Sequence, residues 1–296
     1  MGRLGNVVRL SIVTTSNNND YDGCVLHRNQ VFIDTLSELA NRHKLDAELI
    51  VVEWNPPQDR PGLSQALSWP KSRLKTRIVV VPRHVHDTIG NSDKIPFFQM
   101  WAKNVGIRRA KGDFVLCTNA DLIFGNEMIA WLAQGDFVEA AYYRATRHDL
   151  SEKIIPDGDV DYRLYFCRRH VIRINDSKKG LHSNACGDFM LMAREHWHAC
   201  RGYPELPLWS IFVDGLLLHA AYASGLEEVR LEYPFYHIAH DLAWTNSEEL
   251  GKRYPILDRQ TEYNPWVNKM LAEKRTINPN GANWGFSLEE LDEIAV

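Results

Sequence analysis

Several features that would assign this chain to a common class of protein are missing from its sequence. The 296 residues carry a formal net charge of −4, and this argues against nucleic acid as a partner, because nucleic-acid-binding proteins usually show a basic surface. No apolar run approaches the ~18 residues that a membrane span requires. The apolar part of the N-terminus is short and β-branched, so it predicts a first strand rather than a signal peptide. We therefore expect a cytoplasmic protein with no transmembrane segment, for which peripheral membrane association stays open.

Cysteine pairs and glycine-rich phosphate loops are also missing. The five cysteines are odd in number and form no C-x-x-C pair, which is typical of reduced thiols in the cytoplasm. Neither G-x-G-x-x-G nor G-x-x-x-x-G-K-[ST] follows the first predicted strand, so the chain lacks the backbone amides with which dinucleotide and P-loop enzymes hold pyrophosphate. Any bound phosphate must be neutralised by another group.

The sequence does contain a regular alternation of strand and helix patterns. Apolar, β-branched runs at 7–14, 47–53, 77–81 and 114–118 alternate with helical periodicity at 28–43 and 96–110. This alternation predicts an α/β fold in which helices flank a mostly parallel sheet on both faces.

Polar residues follow each predicted strand, at the edge where such sheets bind ligands. They are Thr14 and Thr15, then Glu53, His84, and finally Asn119 with Asp121. A carboxylate at the end of a buried strand costs several kcal/mol if it has no partner. A metal ion or the N-terminus of a helix would serve as the partner of Asp121, and Mn²⁺ or Mg²⁺ at this residue would also neutralise substrate phosphates.

Three stretches resemble elements of the GT-A fold glycosyltransferases. AKNVGIRRAKGD at 102–113, followed by FVLCTNAD, is similar to the A-x-N-x-G-x-x-x-A-x-G helix and the DxD-type strand end of that family. GDFMLMAREHWHACRGYPE at 187–205 is similar to its G-x-F-x-x-x-x-R-x-x-W-x-x-x-x-G-[FY]-x-E segment, and Asp214 stands where the family has an acidic residue opening a helix. The resemblance covers about residues 7–240. It implies transfer of a sugar from a nucleotide-diphosphate sugar to a glycan or another hydroxyl acceptor.

The resemblance also implies roles for individual residues. Asp121 would bind the metal together with a histidine of the H-x-x-H pair, either His237 or His240, with His240 slightly favoured. Asp214 would be the general base, and Asp188 is the second choice. The nucleotide sugar would contact Thr14, Thr15, Glu53, Lys103, Asn104, Arg109, Asn119 and Ala120.

Ordinary structural roles remain open for several of these residues. Asn119 replaces the first aspartate of the DxD element, which leaves one charged ligand. One histidine of the pair is equally compatible with a hydrogen bond in the core, and Asp214 with a helix N-cap. Glu53 is equally compatible with a solvated loop carboxylate, and a basic residue on a helix is more often simply exposed.

The predicted organisation is a nucleotide-sugar-binding half at 1–125, an acceptor-binding half of the same GT-A domain with mixed secondary structure at 126–245, and a C-terminal extension at 246–296. The expected reaction is metal-assisted and inverting, in glycan or polysaccharide biosynthesis. Two alternatives stay open. A sugar-phosphate nucleotidyltransferase would need a Gly-rich basic loop after the first strand, which TTSNNNDYDG does not provide, whereas Asn119 keeps open a non-catalytic nucleotide-sugar-binding or carbohydrate-binding relative.

Overall fold

The first half of the chain alternates strands and helices as the sequence predicts. The computed structural model describes residues 9–296 except 22, 178, 243, 244 and 246. Its first elements are β1 (Leu10–Ser16), α1 (Val25–His43), β2 (Ala47–Trp54), α2 (Leu63–Ala66), β3 (Leu74–Val81), α3 (Arg83–His86), α4 (Gln99–Arg109) and β4 (Phe114–Thr118). The four strands lie in the order β3-β2-β1-β4, and every neighbouring pair is parallel.

The second half extends the same sheet with mixed strand directions. Its elements are β5 (Leu122–Phe124), α5 (Asn126–Gln134), β6 (Ala141–Leu150), α6 (Val160–Arg169), β7 (Val171–Asn175), β8 (Phe189–Ala193), α7 (Arg194–Cys200), α8 (Val213–Ala223) and β9 (Glu227–His237). The order continues as β4-β8-β6-β9-β5, with β7 beside β6, and β6 and β9 are parallel whereas the other pairs are antiparallel. The predicted fold class, an α/β sheet flanked by helices with a mixed region, is confirmed.

Close packing explains the A-x-N-x-G stretch in α4. A Cβ atom on Gly106 would lie 2.4 Å from Val13 Cγ1, so only glycine lets α4 approach β1 this closely. The side chain of Asn104 accepts a hydrogen bond from the Tyr203 amide and donates to the Tyr203 carbonyl, each at 2.8 Å. Asn104 thus ties α4 to the turn after α7, where Gly202 has a φ of +66°.

The C-terminal segment returns along the molecule to the far edge of the sheet. It contains α9 (Ser247–Arg253), a π-helix (Arg259–Tyr263), α10 (Asn264–Glu273) and β10 (Asp292–Ala295). Helix α10 packs on α8, and β10 pairs antiparallel with β3. Within the described part of the chain, no helix has both the length and the apolarity needed to cross a bilayer.

Candidate active site and metal centre

A pocket of about 880 Å³ lies beyond the carboxyl ends of β1 and β4. It is lined by the loop after β1, the loop between β4 and β5, the loop before β8, the start of α8, the end of β9, and the C-terminal segment. This is the edge where α/β sheets bind ligands, and the volume suits a small-molecule substrate. Seven of the predicted site residues line it: Thr15, Asn119, Ala120, Asp121, Asp188, Asp214 and His240, and the alternative ligand His237 is there as well.

Asp121, His237 and His240 form a compact group of potential metal ligands. His237 Nε2 and His240 Nε2 lie 3.7 Å and 3.5 Å from Asp121 Oδ2, and the two Nε2 atoms are 3.2 Å apart. Ligands of an ion that binds at ~2.1 Å lie ~3.0–3.4 Å apart when they share one face of its coordination sphere. Small shifts would bring all three atoms onto such a face.

A second observation supports the fit of a cation. Asp121 Oδ1 is buried and has no hydrogen-bond partner among the described residues. An unpartnered buried carboxylate oxygen is costly, and a divalent cation is the kind of group that would satisfy it. Two imidazoles and one carboxylate, with open positions left over, suit Mn²⁺, Fe²⁺ or Zn²⁺ better than Mg²⁺, which prefers oxygen ligands.

Partners behind the two histidines orient their rings. His237 Nδ1 lies 3.1 Å from Asp149 Oδ1, and His240 Nδ1 lies 3.1 Å from the Tyr21 hydroxyl. A metal-bound histidine usually contacts such a group through its other ring nitrogen, which fixes the tautomer and the ring orientation. Asp149 is fully buried, forms an ion pair with Arg147, whose Nε lies 2.9 Å from Oδ1, and accepts a hydrogen bond from Asn175 Nδ2. No local sequence pattern marks Asp149, which lies one residue before the end of β6 and beside His237 in the sheet register.

The charges of this cluster shift the pKa values of its members in opposite directions. Burial alone would lower the pKa of His237, but the negative charge of Asp121 and the hydrogen bond to Asp149 outweigh it and raise this pKa to about 9. Burial would raise the pKa of Asp121, but the two histidines and Arg28 hold it well below its usual range. The metal-free cluster therefore holds a proton at neutral pH that a cation would displace.

Asn119 and Asp188 form a hydrogen-bonded pair beside the cluster. Asn119 Nδ2 donates to Asp188 Oδ1 at 2.8 Å, and Asn119 Oδ1 accepts from Gln99 Nε2 at 3.1 Å. Asp188 Oδ2 accepts from Arg147 Nη1 at 2.7 Å. An aspartate at position 119 would place a second carboxylate against Asp188, and the two charges would repel. The neighbouring Asp188 therefore explains why residue 119 is an asparagine. Asp188 is ion-paired with a guanidinium, whereas Asp214 accepts from the backbone amides of Gly187 and Gly215, so Asp188 is the weaker candidate to take a proton from a substrate.

Asp214 lies in the first turn of α8, which rules out the N-cap role. Phe212 is the cap residue, with a φ of +67°. Asp214 Oδ2 accepts from the Gly187 amide at 2.8 Å, and Oδ1 accepts from the Gly215 amide at 2.9 Å. Burial and the charge of Asp188 raise the pKa of Asp214, while the Gly187 hydrogen bond and the charge of Lys103 oppose this. A carboxylate with a raised pKa that lines a pocket is a good candidate for a general base.

Five residues predicted to contact the nucleotide sugar lie outside the lining of this pocket: Thr14, Glu53, Lys103, Asn104 and Arg109. Glu53 Oε1 accepts from the Leu63 amide at the start of α2, and burial raises its pKa. Lys103 is fully buried, and its ammonium donates to the Gly187 carbonyl. Arg109 donates to the carbonyls of Gly285 and Phe286 at 2.8 and 2.9 Å. Glu53, Lys103 and Arg109 thus have internal partners, whereas the buried Thr14 hydroxyl has no hydrogen-bond partner among the described residues.

Comparisons with known proteins return structural neighbours only. No family model and no curated protein matches the chain. Matching solved structures include a mannosyltransferase from Pyrobaculum calidifontis in complex with GDP-Man and Mn²⁺, at 12% identity and a TM-score of 0.42 over 80% of this chain and 58% of that one. S. aureus TarS in complex with UDP-GlcNAc matches at 14% identity and a TM-score of 0.46, over 90% of this chain and 71% of that one.

A third neighbour is the catalytic domain of Drosophila β1,4-galactosyltransferase 7 in complex with xylobiose. It matches at 14% identity and a TM-score of 0.41, over 87% of this chain and 84% of that one. For the Pyrobaculum mannosyltransferase, by contrast, the match spans less than two thirds of that protein's length. Similarity at this level leaves the assignment of function to the chemistry of the pocket.

Proposed function

We propose that this protein is a GT-A glycosyltransferase that moves a sugar from a nucleotide-diphosphate sugar to a hydroxyl acceptor. The observation that carries the proposal is the presence, in one pocket at the carboxyl edge of the sheet, of the Asp121–His237–His240 group and the buried carboxylate of Asp214. The first is suited to a diphosphate-bound cation and the second to deprotonating an acceptor. The sequence resemblance to the family includes Asp121 and Asp214, which line this pocket.

The donor side of the pocket is assigned to the cluster. Asp121, His237 and His240 would hold Mn²⁺ in preference to Mg²⁺, because two of the three ligands are imidazoles. When bound, the ion would act as a Lewis acid that stabilises the negative charge on the departing nucleoside diphosphate. Arg28, which also lines the pocket, adds positive charge near Asp121.

The acceptor side is assigned to Asp214, and the proposed reaction inverts the anomeric centre. Asp214 takes the proton of the acceptor hydroxyl while that oxygen forms a bond to the anomeric carbon. The bond from the anomeric carbon to the diphosphate breaks, and its electron pair leaves with the nucleoside diphosphate. The Gly187 and Gly215 amides hold the Asp214 carboxylate in a fixed orientation for this transfer. In this scheme residues 1–125 contribute Asp121 and Arg28 to the donor side, and residues 126–245 contribute His237 and His240 to the donor side and Asp214 to the acceptor side.

The test is to incubate the purified protein with a panel of sugar nucleotides and Mn²⁺ and to measure release of nucleoside diphosphate, with and without hydroxyl acceptors. Release that depends on Mn²⁺ and disappears in an Asp121→Asn variant supports the proposal. Pyrophosphate release from a nucleoside triphosphate and a sugar phosphate would instead identify a nucleotidyltransferase. Metal-dependent binding of sugar nucleotides with no turnover would identify a non-catalytic relative.

A further inference from the structure

The C-terminal segment supplies one wall of the pocket, on the side of Asp214. Tyr254 stacks on Trp209 with ring centroids 4.2 Å apart and an interplanar angle of 8°. Tyr263 lies over the start of α8, because a Cβ atom on Gly215 would be 2.6 Å from its hydroxyl. All these residues line the pocket. Flat aromatic rings at a pocket wall are suited to contact the apolar face of a sugar ring.

Two arginines of the same segment line this wall without a carboxylate partner. Arg253 and Arg259 are exposed, and neither forms a salt bridge with any described residue. Arg253 directly precedes Tyr254, and the Arg259 guanidinium lies 5.6 Å from the centre of the Phe212 ring. Other charges at the pocket are compensated: Arg147 pairs with Asp188, and Lys153 pairs with Asp241.

The backbone conformation of Phe212 indicates that this wall of the pocket is held in a specific arrangement. Phe212 has a φ of +67°, which is uncommon for a bulky residue and costs on the order of 1 kcal/mol or more. This conformation starts α8, which carries Asp214, and it leaves the Phe212 ring between Arg259 and Tyr263. Local strain of this kind is found where the surrounding structure holds a functional arrangement in place.

We propose that Trp209, Tyr254, Arg253 and Arg259 form a subsite for an acidic saccharide acceptor, one that carries a phosphate or carboxylate group on or next to the sugar ring that stacks on the aromatic pair. This inference rests on the proposed function, which identifies the bound saccharide as the acceptor. The wall adjoins Asp214, whereas the cluster assigned to the donor diphosphate is Asp121, His237 and His240. Guanidinium groups bind phosphates and carboxylates through paired, charge-assisted hydrogen bonds.

The experiment measures saccharide binding by calorimetry in the absence of nucleotide and metal. The probes are a galacturonate trisaccharide, a mannotriose with a terminal phosphate ester, and neutral maltotriose. We expect at least one acidic probe to bind about 10-fold or more tightly than maltotriose, and we expect 0.5 M NaCl to reduce this preference, since salt screens exposed charges. The probe that binds identifies whether phosphate or carboxylate is the recognised group. Failure of both acidic probes to bind better than maltotriose overturns the proposal.

Variants locate the binding and separate the subsite from the donor site. Arg253→Gln and Arg259→Gln should each weaken the acidic probe about 10-fold and leave maltotriose unchanged. Lys252→Gln is the matched control, because Lys252 neighbours Arg253 but pairs with Glu248 and does not line the pocket. If the arginine variants weaken Mn²⁺-dependent binding of UDP as much as they weaken the acidic probe, the arginines belong to the donor and the proposal is wrong. Acidic-probe binding without any sugar-nucleotide turnover would keep the subsite and remove the proposed enzymatic function.

Discussion

The Nε2 atoms of His237 and His240 lie 3.2 Å apart, each within 3.7 Å of Asp121 Oδ2. Two facing imidazole nitrogens need either a shared proton or a common ion between them. Their Nδ1 atoms are already engaged by Asp149 and Tyr21, so the Nε2 atoms are directed toward one point. A cation at that point would find its ligands in place.

Asp121→Asn should abolish metal-dependent nucleotide binding while the chain stays folded. The amide keeps the volume but loses the charge, and the loss of affinity should exceed the ~10–100-fold that removal of an outer-sphere partner costs. Calorimetric titration of UDP or GDP with and without Mn²⁺ measures it. Asp241→Asn is the control, since Asp241 lines the pocket but pairs with Lys153. Unchanged Mn²⁺ dependence in the Asp121 variant would show that the metal assignment is wrong.

Asp149→Asn should weaken Mn²⁺ binding by ~10–100-fold although Asp149 is not a proposed ligand. The carboxylate orients His237 and supports its basicity through the Nδ1 contact. Titration of the protein with Mn²⁺ in a calorimeter measures this loss of metal affinity independently of turnover. Equal affinity in variant and wild type would mean that the carboxylate serves only to pair Arg147, in which case the variant should show a lower Tm and nothing else.

Mn²⁺ affinity should rise with pH through the neutral range because the ion competes with a proton on His237. The pKa of this group is raised to about 9, so its charged form stabilises the metal-free fold fully below pH 6.5, and that stabilisation is lost as the pH rises through 9. Between pH 6.5 and 8.5 the apparent affinity should increase up to about 10-fold per pH unit. An affinity that stays flat across this range would contradict competition with His237.

Asn119→Asp should not create a better metal site. The new carboxylate would face Asp188 Oδ1, to which the Asn119 amide now donates at 2.8 Å, and the two like charges would repel. We expect unchanged or weaker Mn²⁺ binding and a loss of about 1–3 kcal/mol in the free energy of unfolding at pH 7. Mn²⁺ titration and chemical denaturation measure the two effects. A tenfold gain in Mn²⁺ affinity without a loss of stability would place the side chain of residue 119 at the ion instead.

Asp214→Asn should reduce turnover by ~10²–10⁴-fold and leave sugar-nucleotide affinity nearly unchanged, because an amide cannot take the acceptor proton. The pKa of Asp214 is raised, so in the wild type kcat/KM should fall as the pH drops through a value above the usual 3.8 of an aspartate. The same shift means that ionisation of Asp214 costs stability at pH 7, and removal of the charge offsets the backbone hydrogen bond that the amide nitrogen cannot accept, so the Tm should change little.

Asp188→Asn is the matched comparison for the general base. It should lower the Tm, because Arg147 loses a charged partner, and it should affect turnover less than the Asp214 variant. A larger loss of turnover in Asp188→Asn than in Asp214→Asn would reverse the assignment of the base.

Hydrophobic periodicity was sufficient to predict the parallel half of the sheet. Strand β4 is buried along its whole length and its sequence is a nearly continuous apolar run, so it was predicted at its observed bounds. The mixed half was not resolved strand by strand, because β5 has three residues and β7 is largely exposed. Such short or polar strands depend on partners that are distant in the chain.

The candidate site was predicted where a side chain ends a strand or opens a helix. Asp121, Asp188, Asp214 and His240 all line the pocket as expected. Asp149 was missed because its contact with His237 depends on the register between β6 and β9, which no local pattern encodes. Lys103, Asn104 and Arg109 of α4 lie outside the pocket lining, and a helix covered on several sides gives no periodicity that distinguishes the pocket from the core.

Strand β10 of the C-terminal segment covers one edge of the sheet, at the opposite end from β5. It pairs with β3, whose outer edge would otherwise present unpaired backbone groups, and it is held nearby through the carbonyls that Arg109 binds at 285 and 286. A bare, regular sheet edge is a template for pairing with other chains. Removing β10 should therefore expose β3 as an edge strand that can pair with other chains. Truncation of the C-terminal segment, which also forms the pocket wall, should thus cause self-association.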